Sequence, residues 1–552
     1  MYQEKEKNII RSEALSSAIS ILTEDRKQST ITTLDYFDSL RDFMLFSSSY
    51  SSDHILARNL KKSTEQSWKK HFESALGNKR PSELKVAYLA GPNPENDLME
   101  LIKQGILPEN IWAFESDNDI YKEAVGRLEI NFPQVKIHLG KISSFFSNSA
   151  INFDIVYLDF CGALVSPSKR NRNISNIVSL IDNHRLNSPG VIITNFAYID
   201  ESNDPGTKKL LAKIVSLYLY PKAYADNGAS AEEQGLLFHE WFYKVNNNLE
   251  YYYSEFIRRF MMDISSVVIP FIRICRSQEY FEMFFELDKK QMKLCKKILF
   301  SYDDQKDYIE ELSFKLEGDS GGYLESDMSF FSIPWFLRMA QYKNIEELYD
   351  WCDDEDERER LKLFYMDFYD DQFNKASRSL INQMSFNSEE LLDQFSVMLY
   401  LILGGSHGIE CYSEKLKNVY NMDWQRVAPQ ACDVFTFQSV IGLLIGQLSV
   451  PYHINVLKSV GWSYKAKETV MYTDMFVLDE CRYIYDMLPT IDMINNRIEN
   501  LSSQMCYRFA LDALDKNHIR YNTELFFGCA VVGCNNEGFE DRWFKERYKI
   551  EV

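Results

Sequence analysis

Between Leu84 and Asn195 the sequence repeats one rhythm: a short apolar run, a turn, then an amphipathic helical stretch. That alternation is the signature of a parallel sheet with crossover helices, and it constrains the fold more than any other feature of the chain. The runs are 85–90, 111–115, 135–139, 153–159 and 191–195. Between them, Leu98, Leu101 and Ile102, then Ile120, Ala124 and Leu128, then Ile174, Ile177, Val178 and Ile181 recur at helical spacing. The expected class is α/β: a Rossmann-like, mostly parallel sheet closed by an antiparallel hairpin. An N-terminal helical segment and a large, mainly α-helical C-terminal domain flank it.

The closing hairpin is expected at 267–274 and 280–287, two apolar runs around Arg276-Ser277-Gln278, with Pro270 at an edge or bulge. Helices are expected over Thr33–Phe46, Asp53–Leu76, 207–219 and 232–262, and a β-like stretch interrupts the later helices at 468–477. The division that follows is 1–80 (helical segment), 81–290 (sheet domain) and 291–552 (helical domain of unassigned role).

In an open parallel sheet a nucleotide-like ligand lies outside the carboxyl ends of the strands. Here those ends carry Gly91-Pro92 after Tyr88-Leu89-Ala90, then Glu115-Ser116, Gly140-Lys141, Asp159 and Asn195. A glycine lets the backbone approach a ligand closely, and a carboxylate at the second strand end can accept hydrogen bonds from ribose hydroxyls. Asp159 directly follows the buried run 155–158, a costly place for a carboxylate unless it is paired or at a strand end.

These landmarks, over roughly residues 60–290, resemble the class I S-adenosylmethionine-dependent methyltransferases. The resemblance implies S-adenosylmethionine as cofactor, held by Tyr88, Ala90, Gly91, Pro92, Glu115, Ser116, Gly140, Lys141 and Asp159. The first turn has one glycine where that family usually has three, and Lys141 stands where an Asp often meets adenine. Leu158-Asp159-Phe160-Cys161-Gly162 is similar to the Asp-Pro-(Phe/Tyr)-Gly motif of some enzymes that methylate nitrogen in RNA, with Phe160 in place of Pro. The resemblance implies that Asp159 and Gly162 hold an acceptor amino group in line with the activated methyl, so that proximity supplies the rate. Phe160, Lys169, Arg170, Arg172 and Asn195 are the candidate substrate contacts, the three cations as phosphate ligands. Set against this, a cationic loop is more often simply solvated, and Asn195 could merely begin a turn.

The net charge of −20 argues against a surface that wraps nucleic acid as a whole, and leaves room for a local basic patch. The 10 Cys include no CxxC pair and no His at ligand spacing, so metal is not expected and the thiols read as reduced. With a charged start to the sequence and an apolar run at 434–450 broken by Gln438 and Gln447, the reading is cytoplasmic, with no membrane segment. His138, Arg258-Arg259 and Tyr251-Tyr252-Tyr253 read as structural, and Asp353–Glu357 as a solvated acidic helix or loop. No GxxxxGK[ST], HExxH, GxSxG or kinase signature occurs.

Two functions follow as expectations. One is a methyltransferase with a nucleic-acid acceptor. The other is a catalytically degenerate scaffold whose C-terminal helical half binds a protein partner or forms a homo-oligomer.

Overall fold

Successive side chains of a strand point to opposite faces, so a run buried along its whole length must be covered on both sides. The computed structural model describes residues 5–46, 52–166, 172–199, 204–220, 236–293, 332–403, 411–421, 437–497, 500–516 and 544–550. Four helices come first: α1 (Lys5–Leu22), α2 (Tyr36–Phe46), α3 (Ser52–Asn59) and α4 (Lys62–Leu76). The expected helix over Asp53–Leu76 is thus two helices, broken at Leu60-Lys61.

The alternating region then runs β1 (Val86–Leu89), α5 (Glu95–Lys103), β2 (Ile111–Glu115), α6 (Asn118–Asn131), β3 (Lys136–Leu139), α7 (Ile142–Asn148), β4 (Phe153–Asp159), α8 (Asn173–Asp182) and β5 (Leu186–Ala197). After it come α9 (Pro205–Leu219), α10 (Phe238–Asn247), α11 (Leu249–Asp263), a π turn (Ile264–Val268), α12 (Ile269–Arg276) and α13 (Gln278–Phe284). Further helices lead to β6 (His453–Ile454), β7 (Val460–Ala466), β8 (Thr469–Asp479) and, late in the chain, β9 (Tyr548–Lys549).

The nine strands among the described residues form one sheet in the order β3-β2-β1-β4-β5-β8-β7-β9, with β6 beside β8. Strands β1 to β5 are mutually parallel. β8 is antiparallel to β5 and to β7, so it closes the sheet as half of a hairpin. The fold is Rossmann-like α/β with a large helical complement.

The hairpin is not where the sequence suggested. Residues 267–274 lie in the π turn and α12, and 280–284 in α13. Pro270 sits directly after the π turn in a continuous helical run, and the Ser265 carbonyl of that turn accepts from the Tyr452 N–H at 3.1 Å. A continuous apolar run fits a helix buried all round as well as a strand, and here Val267, Val268, Ile269, Phe271, Ile272 and Ile274 are all buried. The hairpin is β7–β8, turning at Lys467 and Glu468, and it contains the β-like stretch 468–477. The sheet therefore draws strands from both sides of residue 290.

The two faces of the sheet have separate cores. Val86, Tyr88, Ile155, Tyr157, Val191, Ile193, Met475 and Val477 pack with Ile10, Ala14, Leu15, Ala18 and Leu22 of α1 and with Leu98 and Leu101 of α5. Ala87, Val156, Leu158, Ile192, Phe196 and Phe476 face the other way, toward α4, α8 and the helices between β5 and β6. Each large apolar side chain so buried contributes about 1.5–3 kcal/mol. The helix Phe437–Ser449 lies within this second core, as expected of a buried segment; residues 434–436 are outside the described residues.

A buried ion triad ties the hairpin to the rest. Asp474 of β8 accepts from Arg258 of α11 at 3.0 Å and from Arg547 at 3.0 and 2.7 Å. Gly461 of β7 makes room for it, because a Cβ there would lie 2.3 Å from a guanidinium nitrogen of Arg258 and 2.5 Å from Asp474. The paired arginines hold Asp474 below the usual carboxylate range although burial opposes its charge.

The remaining structural expectations also have definite places. His138 stacks on Phe114 at 5.3 Å, and burial lowers its pKa. Arg259 reaches Asp263 at 3.0 Å, while Tyr252 and Tyr253 are buried in the helical core. Asp354 caps the helix Glu355–Phe368 and the acids after it occupy the first turn, where the helix dipole favours negative charge. Among the described residues no helix is long and apolar enough to cross a membrane, and no His/Cys/Asp/Glu group could hold a metal ion.

Candidate functional site

Because β1, β2, β3, β4 and β5 are parallel, their carboxyl ends meet along one edge. Gly91 follows β1 with φ +59, a left-handed conformation that suits glycine, and a Cβ there would meet nothing within 4 Å. Gly140 follows β3, likewise with open space beside it, and its N–H donates to the Glu115 carbonyl at 2.7 Å. Glu115 ends β2 half-buried, and one carboxylate oxygen accepts from the Asp117 N–H at 2.8 Å. Pro92, Ser116 and Lys141 are exposed around these turns. Ala90 is buried and anchors the first turn by donating to the Phe114 carbonyl at 2.9 Å.

Asp159, at the end of β4, is the most elaborately held group on the edge. Its neighbour across the ladder is Asn195 of β5. The Asn195 amide donates to one Asp159 oxygen at 2.7 Å and to the Tyr464 hydroxyl at 3.1 Å. Thr473 in turn donates to the Asn195 carbonyl oxygen at 3.1 Å. Four strands thus fix one carboxylate. Its second oxygen pairs with the Lys7 ammonium at 2.8 Å.

Lys7 and Arg11 stand one turn apart on α1, and both meet carboxylates. Arg11 binds Asp97, in the first turn of α5, at 2.5 Å. Burial pushes Asp97 up to about 6, with repulsion from Asp159 adding to it and the attraction of Arg11 opposing it. Two carboxylates and two cations therefore make one charge cluster beside the Gly91 turn. Sequence reading missed Lys7, Arg11 and Asp97, since charged residues near helix starts look solvated. The only signal was the one-turn spacing of Lys7 and Arg11 beside the apolar face of Ile10 and Ala14.

The other candidate contacts have definite places. Asn195 does not begin a turn, because β5 continues to Ala197. It is 1% exposed, and its amide orients Asp159 from inside the sheet. The Tyr88 side chain lies in the core with its hydroxyl donating to the Pro94 carbonyl at 3.0 Å. Phe160 is also turned inward, stacked on Phe196 at 5.3 Å. The Gly162 carbonyl accepts from the Ala197 N–H at 3.1 Å. Arg172 is exposed just before α8, and Lys169 and Arg170 lie outside the described residues.

No protein-family model matches the chain, and no curated protein matches it. Among solved structures the chain is similar to an S-adenosylmethionine-dependent methyltransferase from Clostridium acetobutylicum ATCC 824, at 13% identity and a TM-score of 0.16. That match covers 27% of this chain and 62% of the other, less than two thirds of its length. The fold assignment rests on the strand order.

Proposed function

We propose that this protein is an S-adenosylmethionine-dependent methyltransferase acting on nitrogen, with Asp159 as the acceptor-binding carboxylate. The observation that carries the reading is the carboxyl edge itself: Gly91, Glu115, Gly140 and Asp159 end successive neighbouring strands of an open parallel sheet closed by a hairpin. The residues present fit the cofactor, because the open space beside Gly91 and Gly140 leaves backbone room and Glu115 offers a carboxylate for ribose hydroxyls. When bound, the cofactor supplies an activated methyl group. The chain's own work is to orient the acceptor: Asn195, fixed by Tyr464 and Thr473, holds the Asp159 carboxylate in one rotamer, so little reorganisation is needed at the moment of transfer.

The acceptor class that the Asp159–Gly162 motif supports is an amino group of a nucleic acid, with Arg172 and its neighbours in the loop as phosphate contacts. Transfer of labelled methyl to RNA or DNA, set against an Asp159→Ala variant, tests it; full transfer by that variant rules out the role of Asp159.

A second reading is favoured by one observation. The Lys7–Asp159 pair closes the carboxylate, and Phe160 is packed into the core instead of flanking an acceptor base. In this reading the domain is a scaffold, and the mainly helical half beyond residue 290 engages a protein partner or a second copy. Absence of cofactor binding together with stable self-association would favour it.

A further inference from the structure

An ion pair between partly exposed groups adds little to stability, which is no reason to build a rigid support beneath it. Yet Asp159 has one. Its first oxygen is fixed by Asn195, and Asn195 by Tyr464 and Thr473 on two further strands. Among the described residues the second oxygen pairs with the Lys7 ammonium, whose side chain is 22% exposed against 13% for Asp159. The receptor half of this pair is preorganised, and the ligand half is a side chain on the first turn of a helix.

That first turn differs from the rest of α1. Ile10, Ala14, Leu15, Ala18 and Leu22 are buried against the sheet and anchor the helix. Lys5, Asn8 and Ile9 are exposed and Asn8 accepts from the Arg11 guanidinium at 2.5 Å, so the turn carrying Lys7 has little apolar packing of its own. Arg11 marks the boundary, locked to the buried Asp97.

We propose that the Asp159–Asn195 constellation is a binding site for a primary ammonium group, and that Lys7 is its internal occupant. A free or side-chain primary amine entering the site displaces Lys7 and takes the same hydrogen bond to Asp159. A primary amine as the methyl acceptor of this site follows only if the methyltransferase reading holds; the binding site itself does not depend on it.

Chemical rescue in the full-length protein tests this without turnover. Lys7→Ala and Lys7→Met empty the position, with circular dichroism checking the fold and Lys7→Met keeping the apolar stem where Lys7→Ala fails. Millimolar n-butylammonium chloride is expected to raise the unfolding midpoint of either variant by several degrees. Tetramethylammonium chloride at equal ionic strength, and n-butanol, are expected to leave it unchanged. The wild type should respond less than either emptied variant, because the amine must first displace Lys7, and a Lys7→Ala/Asp159→Asn double variant should not respond. Equal shifts in all proteins, or no shift in the emptied variants, would overturn the proposal. Calorimetry with S-adenosylmethionine on the same samples separates the two claims. Cofactor heat without amine rescue removes the ammonium site and leaves the methyltransferase reading standing. Amine rescue without cofactor heat does the reverse.

Discussion

The Asn195 amide donates to Asp159 across the β4–β5 ladder at 2.7 Å, and Asn195 is itself held by Thr473 of β8. The orientation of a carboxylate at the carboxyl edge therefore depends on a hairpin strand far away in sequence. Replacing Asn195 by Leu removes the donor and leaves the buried Thr473 hydroxyl without that acceptor. The expected loss of stability is about 1–3 kcal/mol, read from urea unfolding, with the Asp159 carboxylate freed to change rotamer. Asn195→Ser, which keeps a donor, should recover part of it.

Asp97 gives a pH signature. Burial raises its folded pKa to about 6 from an ordinary value of 3.8. A group whose folded pKa is raised contributes stability that is fully present below the unfolded pKa and lost as pH rises through the folded one. The unfolding midpoint of the wild type, relative to Asp97→Asn, should fall between pH 4 and pH 6 and level off above. A flat difference across that window would contradict the assignment.

Gly461 and Asp474 test the closing hairpin. A methyl at residue 461 would sit 2.3 Å from Arg258, 2.5 Å from Asp474 and 2.8 Å from Arg547, so the whole buried ion triad would have to shift. Gly461→Ala should destabilise by about 1–3 kcal/mol through overpacking. Asp474→Asn, which leaves two buried guanidinium groups without their shared carboxylate, should cost about 3–5 kcal/mol. Denaturant midpoints compare the two directly.

The first five strands are legible in the sequence because each short run is bounded by its own turn and followed by a helical period. The closing hairpin is not. β8 pairs with β5 across the whole helical region, and no local pattern reports a partner so distant; the run 267–274 is equally apolar and lies nearer, so it takes the hairpin's place in a sequence reading. At the site, Gly91, Glu115 and Asp159 are readable as strand-end residues. The Lys7–Asp159 and Arg11–Asp97 pairs are not, because they depend on α1 crossing the sheet beside α5. The turn expected at Asn195 fails for a related reason: an Asn after an apolar run signals a turn, while here the strand continues and its amide bonds within the sheet.

The proposed function requires the carboxyl edge of this sheet to bind S-adenosylmethionine. Isothermal titration calorimetry of the full-length protein with that cofactor measures it most directly. Saturable one-site binding that is weakened at least tenfold by Glu115→Ala, a loss of about 1.4 kcal/mol or more, is the predicted result. No heat and no thermal shift at millimolar cofactor would contradict it.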